Sequence, residues 1–261
     1  MPPFAYKLKR RDKILQNKKK VNVSLYLILF DIDGTLISTD GAGMRAFRSA
    51  MYDVFGIQVE KGAVSPDGKT DPLILKEVLQ YYGSPDLSGD HSRKKVFAKY
   101  LEYLKSEMLQ ARESGRVQIL PGVKSLLDAL DSQADFEVGL ATGNLEDGAG
   151  IKLEHAGLDG YFHFGGFGSD SEDRTMLIKI GIQRGMEHVS PASVHGSFVI
   201  GDTPFDVEHG RAAGAGVISV ASGGYDMGQL RACNPDLVLS DLTPVETILS
   251  FLRNNGYKNR K

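Results

Sequence analysis

Beyond Pro121 the chain alternates short apolar runs with helical stretches, and that rhythm restricts the fold more than any other feature. Apolar runs fall at 136–141 (FEVGLA), 161–164 (YFHF), 197–200 (SFVI), 216–220 (GVISV) and 237–239 (LVL). Helical stretches lie near 122–131, 145–157, 173–185, 204–213, 226–233 and 244–253. One more apolar run, Leu-Tyr-Leu-Ile-Leu-Phe over 25–30, stands apart at the front of the chain. Strands that are apolar throughout and separated by helices imply a parallel sheet covered on both faces. The expected fold class is therefore α/β, a doubly wound parallel-sheet (Rossmann-like) core. In such sheets ligands sit beyond the carboxyl ends of the strands, at the switch point of the strand order.

The territory between the first strand and the rest has a different rhythm. Phe47, Ala50, Met51, Val54 and Phe55 form a helical stripe at i, i+3, i+4, i+7 and i+8. Asp71 followed by Pro72 reads as an N-cap and first helical position, opening a helix striped by Leu75, Val78, Leu79 and Tyr82. Phe97, Tyr100, Leu101, Leu104, Met108 and Ala111 mark a longer helix. The expected division is a basic, disordered extension over 1–24, an α/β core over 25–40 and 116–261, and a helical insertion over 41–115.

Three of the strand ends then carry chemistry. The first strand runs into Asp31-Ile32-Asp33-Gly34, whose two carboxylates point the same way if the strand continues. Converging carboxylates repel unless a cation or a shared proton compensates. The 136–141 strand ends in Thr142-Gly143-Asn144, and the 197–200 strand in Gly201-Asp202, followed by Asp206. Taken singly, Thr142, Asn144 or Asp202 is equally well a helix cap. Four carboxylates and a hydroxyl on one sheet edge instead call for a divalent cation, and oxygen ligands without His or Cys suit Mg²⁺.

Charge and cysteine content narrow the setting. The formal net charge is −2, but eight Lys or Arg against Asp12 in the first twenty residues leave −9 for the rest. That balance argues against nucleic acid as partner of the main body. The single cysteine, Cys233, excludes an internal disulfide. The basic stretch before an apolar run imitates a secretory signal, yet the run is too short to span a membrane and no small-residue cleavage site follows. The expectation is a cytoplasmic protein with no membrane partner, monomeric or weakly homodimeric.

FDIDGTL, ATGN and GDTPFD, in that order and at strand ends, resemble the haloacid dehalogenase-like hydrolases. More narrowly they are similar to the phosphoglycolate phosphatase-like branch, whose helical (C1-type) cap is inserted after the first strand. The resemblance covers roughly residues 25 to 253. It implies a Mg²⁺-dependent phosphatase acting on a small phosphorylated metabolite, such as 2-phosphoglycolate or a sugar phosphate, through an aspartyl-phosphate. Carried over, Asp31 is the nucleophile and Asp33 the acid/base. Thr142, Gly143 and Asn144 bind phosphate. Asp31, the Asp33 carbonyl and Asp202 ligate Mg²⁺, with Asp206 in support.

The resemblance also sorts the alternatives. Dehalogenating and phosphonate-cleaving members lack an acid where Asp33 stands, so phosphate esters are favoured. A phosphosugar mutase of the beta-phosphoglucomutase type keeps both acids and stays open, as does a non-catalytic scaffold on the same fold. The family usually supplies a lysine between its second and last motifs. Here Arg174 is the choice, because guanidinium binds carboxylate and phosphate together, with Lys179 as alternative. In the stretch Ser65-Pro-Asp-Gly-Lys-Thr-Asp-Pro72, Lys69 is a candidate for contacting a second anionic group of the substrate.

Overall fold

The computed structural model describes residues 24–255. The expected disordered extension over 1–24 lies outside them, except for Ser24, which begins strand β1 (Ser24–Phe30). Every residue from Leu25 to Phe30 is buried, and the side chains alternate between two cores. Tyr26, Ile28 and Phe30 pack into one cluster with Leu126, Leu127 and Leu249. Leu25, Leu27 and Leu29 pack into the other with Leu177 and Ile178. A strand buried on both faces must lie at the centre of a covered sheet, and β1 does.

Five more parallel strands complete that sheet: β4 (Phe136–Thr142), β5 (Gly165–Phe167), β6 (Ser193–Gly201), β7 (Gly216–Val220) and β8 (Leu237–Leu239). The order β5-β4-β1-β6-β7-β8 runs outward in both directions from β1, which is the doubly wound topology. The order reverses between β1 and β6, so the switch-point crevice opens where Asp31 and Asp202 emerge. The helices of this core are α4 (Val123–Asp131), α5 (Glu146–Ala156), α6 (Arg174–Val189), α7 (Pro204–Ala212), α8 (Met227–Ala232) and α9 (Val245–Asn255).

Between β1 and the rest of the sheet the chain forms α1 (Ala42–Phe55), α2 (Asp71–Tyr81) and α3 (Asp90–Glu113). Their stripes meet in a separate core built on Phe47, Met51, Leu75, Val78, Tyr100 and Leu104, which also takes in Leu145 and Ile151 from the sheet domain. The chain leaves and returns through a two-stranded antiparallel ribbon, β2 (Ile37–Ser38) against β3 (Gln118–Ile119), pairing Ile37 with Ile119 and Ser38 with Gln118. Two-residue strands carry no periodicity, so the residue pattern holds no sign of them.

Two details differ from expectation. The strand anticipated at 161–164 lies instead at Gly165–Phe167. Helix α6 approaches so closely that a Cβ on Gly166 would sit 1.8 Å from the Leu177 carbonyl oxygen, and only glycine allows that contact. At α2 the N-cap is Thr70, whose hydroxyl accepts the Leu73 N–H at 3.3 Å, while Asp71 is the first helical residue. The Asp71 carboxylate is engaged elsewhere, by the Leu145 N–H of the sheet domain at 2.8 Å.

Candidate active site

The carboxyl edge of β1, β4 and β6 and the three-helix unit enclose a cleft of about 540 Å³. Asp31, Asp33, Thr142, Gly143, Asn144, Arg174 and Asp202 all line it. The edge is positioned by the sheet itself, since the Asp31 N–H donates to the Ile200 carbonyl at 3.0 Å and extends the β1–β6 ladder by one residue.

Asp31 is buried, and the Arg174 guanidinium lies 3.1 Å from its Oδ2. The same Nη2 donates to Asp206 Oδ1 at 2.6 Å, so one buried cation joins two buried anions. Burial works against the Arg174 charge, but Asp206 and Asp31 more than compensate and raise its pKa. Burial also pushes the Asp31 carboxyl up to about 6, with Arg174 pulling it down and Asp206 and Asp33 pushing it up. Lys179, the alternative cation, is exposed on the far side of the same helix from Arg174's contacts.

Asp202 sits in a tighter enclosure. A Cβ on Gly34, whose φ is +80°, would lie 2.4 Å from Asp202 Oδ2, and one on Gly223 would lie 1.8 Å from the same atom. Thr35 donates to Asp202 Oδ1 at 3.0 Å. Desolvation, with Asp206 and Asp31 nearby, raises the Asp202 pKa to about 8. Carboxylate oxygens of Asp31, Asp202 and Asp206 come within 4.8 Å of one another. Such crowded anions, all with oxygen donors, fit a hard divalent cation. Asp206 fits only an indirect place in that shell. Its Oδ1 is taken by Arg174, and its Oδ2 accepts the Thr203 N–H at 3.0 Å and the Thr203 hydroxyl at 2.7 Å in a capping box that opens α7.

Asp33 is half-exposed and faces a network that motif reading did not anticipate. Lys152 Nζ donates to Asp33 Oδ2 and to Asn144 Oδ1, both at 2.6 Å. Asn144 Nδ2 donates to Asp33 Oδ2 at 2.9 Å and to the Thr142 hydroxyl at 2.8 Å. Neither Thr142 nor Asn144 caps α5, which begins after Leu145 without a side-chain cap. Lys152 is buried in mid-helix between buried Ile151 and Leu153. A lysine inside an otherwise buried helical stretch was the available signal, because such a charge must find a partner.

The loop before α2 closes over this edge. The Asp71 N–H donates to the Gly143 carbonyl at 2.8 Å, and a Cβ on Gly143 would lie 2.1 Å from the Lys69 carbonyl oxygen. Lys69 itself is paired with Glu77 at 2.5 Å. Asp71 is half-buried in the cleft wall, and desolvation raises its pKa to about 6 despite Lys152 and the Leu145 N–H. A carboxyl raised on folding stabilises fully below its unfolded pKa and loses that contribution as pH rises through the folded value. Asp71→Asn keeps an acceptor for Leu145 without the charge. Its stability relative to wild type should therefore improve by about 1–2 kcal/mol between pH 4 and pH 7, after allowing for water in the cleft. Urea melts at the two pH values check this, and a difference independent of pH would show that Asp71 carries no such strain.

An open parallel sheet with acids and a buried guanidinium gathered at its switch point defines an α/β protein with an oxygen-rich edge that could hold a metal ion. The haloacid dehalogenase-like hydrolase family profile matches residues 28–220, and the chain belongs to that family. A curated relative, a probable phosphatase IndB from Dickeya dadantii, is 26% identical over 221 residues, spanning 84% of this chain and 91% of that protein. Solved structures share the fold. A beta-phosphoglucomutase from Clostridium difficile is similar at 17% identity with a TM-score of 0.65, over 89% of this chain and 98% of its own. A predicted phosphoglycolate phosphatase from Haemophilus somnus is similar at 18% identity with a TM-score of 0.63, over 88% and 99%. Among the described residues no helix is long and apolar enough to cross a membrane.

Proposed function

We propose that the protein is a Mg²⁺-dependent phosphatase that hydrolyses a small phosphomonoester through an aspartyl-phosphate. The observation that carries this reading is the pair of carboxylates in one cleft with opposite surroundings. Asp31 is buried against Arg174, while Asp33 is half-exposed at the end of a Lys152–Asn144 network.

In this reading an Asp31 oxygen attacks phosphorus, the bond from phosphorus to the ester oxygen breaks, and Asp33 gives its proton to the departing alkoxide. Asp33, now ionised, takes a proton from the water that attacks the aspartyl-phosphate, which releases phosphate and restores Asp31. Arg174 holds the Asp31 carboxylate in place and stabilises charge on the transferring group. Lys152 and Asn144 aim Asp33. The Thr142 hydroxyl and the backbone N–H groups near 143 and 144 would hold the phosphoryl oxygens, the Asn144 N–H giving up its present contact with Thr142 Oγ1 at 3.4 Å. Asp31, Asp202 and the Asp33 carbonyl would hold Mg²⁺, with Asp206 reaching it through water. When bound, the ion supplies the positive charge that lets an anionic nucleophile meet a phosphate dianion.

The test is phosphate release across a panel of phosphate esters, with Mg²⁺ or with EDTA. Release with Mg²⁺ that EDTA abolishes, rather than merely weakens, is the expected result. Isomerised sugar phosphate without free phosphate would overturn hydrolysis in favour of a mutase, and no turnover of any ester would overturn catalysis altogether.

A further inference from the structure

Six aspartates line the cleft against three cationic side chains among the described residues, Lys69, Lys152 and Arg174. None of the three is free. Arg174 is shared by Asp31 and Asp206, Lys152 is held by Asp33 and Asn144, and Lys69 is paired with Glu77. Arg174 and Lys152 are also buried against the reacting edge, which leaves the outer cleft to other groups. Those groups are the carboxylates of Asp67 and Asp71, that of Asp40, which lies 3.4 Å from the Arg116 guanidinium, the Tyr100 hydroxyl, and an apolar wall of Met44, Phe47 and Ile74. Tyr100 is buried, and desolvation together with the Asp71 and Asp33 charges keeps it a protonated donor.

We infer that the substrate's leaving group is an uncharged, hydroxylated alcohol with one apolar face, and that the cleft rejects a second anionic group. The inference rests on the phosphatase reading and sharpens it. A carboxylate on the leaving group would enter among like charges with no unpaired cation to meet it, and like charges brought together in a confined site repel strongly. A hydroxyl in the same place donates to Asp71 and accepts from Tyr100. Lys69, which by sequence is the candidate for a second anion, lies in the loop before α2 and is tied to that helix by Glu77, so in this reading it does not serve one.

The experiment compares kcat/KM for matched esters that differ in carboxylate against hydroxyl: 2-phosphoglycolate with 2-hydroxyethyl phosphate, 3-phosphoglycerate with glycerol 3-phosphate, and 6-phosphogluconate with glucitol 6-phosphate. The hydroxyl partner should be favoured by about tenfold or more in at least the best-used pair. Glu77→Gln unpairs Lys69 away from the reacting groups, so it should raise the carboxylate partner several-fold and leave the hydroxyl partner unchanged. Equal or better use of the carboxylates overturns the inference, as does a preference that Glu77→Gln leaves untouched. Turnover of p-nitrophenyl phosphate alone also overturns it, because that alcohol carries no aliphatic hydroxyl. If p-nitrophenyl phosphate fails as well, it is the phosphatase reading that falls.

Discussion

Asp31→Asn should reduce phosphate release by at least about 10³-fold, because the amide offers phosphorus no anionic oxygen and no other group in the cleft is placed to replace it. The change is nearly isosteric, so the fold should persist. The variant removes one of the two carboxylates crowded against Asp202, whose own pKa is raised partly by Asp31. It should therefore melt at or above the wild-type temperature while losing turnover, and that opposite movement is the diagnostic. Rapid-quench detection of phosphorylated protein should find label on wild type during turnover and none on Asp31→Asn. Near-full turnover by the variant would sink the assignment of the nucleophile.

Arg174→Met should act in the other direction on stability. It leaves Asp31 and Asp206 buried without their shared cation, and breaking a buried ion pair from one side costs about 3–5 kcal/mol. Urea denaturation at pH 7 should show that loss, accompanied by near-complete loss of activity. Arg174→Lys should recover only part of both, since a compact ammonium does not span two carboxylates as a planar guanidinium does. A methionine variant as stable as wild type would mean that the two acids are neutral in the folded protein, and the electrostatic account of this edge would have to be abandoned.

What the amino-acid sequence discloses of this site is what is local along the chain. Asp31 and Asp33 follow an apolar strand directly, Thr142 to Asn144 follow β4, and Asp202 follows β6, so a parallel sheet assembles them without further information. Arg174 is legible as a cation at the start of α6, yet its double contact depends on where α7 places Asp206. Lys152 and Asp71 are different in kind. Lys152 lies eight residues past Asn144 in α5, and it is buried because the three-helix unit packs over that helix, as Leu145 and Ile151 joining its core show. Asp71 resembles an ordinary helix cap until the Leu145 N–H from the other domain claims its carboxylate. Both identities are set by contacts between segments distant in sequence, which periodicity cannot report. The same holds for β5, where aromatic content points four residues too early and the closeness of α6 decides for glycine.

The β2–β3 ribbon has a consequence for how such a protein can change over time. Ile37 and Ile119 are neighbours, so everything between them is a detour that starts and ends at one place. Lengthening or replacing that detour adds little closure entropy, because the entropy grows only with the logarithm of its length. The sheet and the acids at its edge are untouched by such a change. What the detour contributes, the cleft wall that includes Met44, Phe47 and Ile74, can therefore be rewritten by insertion, deletion or exchange while the acidic edge of the sheet is left as it is. The ribbon is the seam along which the wall of the cleft and its acidic floor can vary independently.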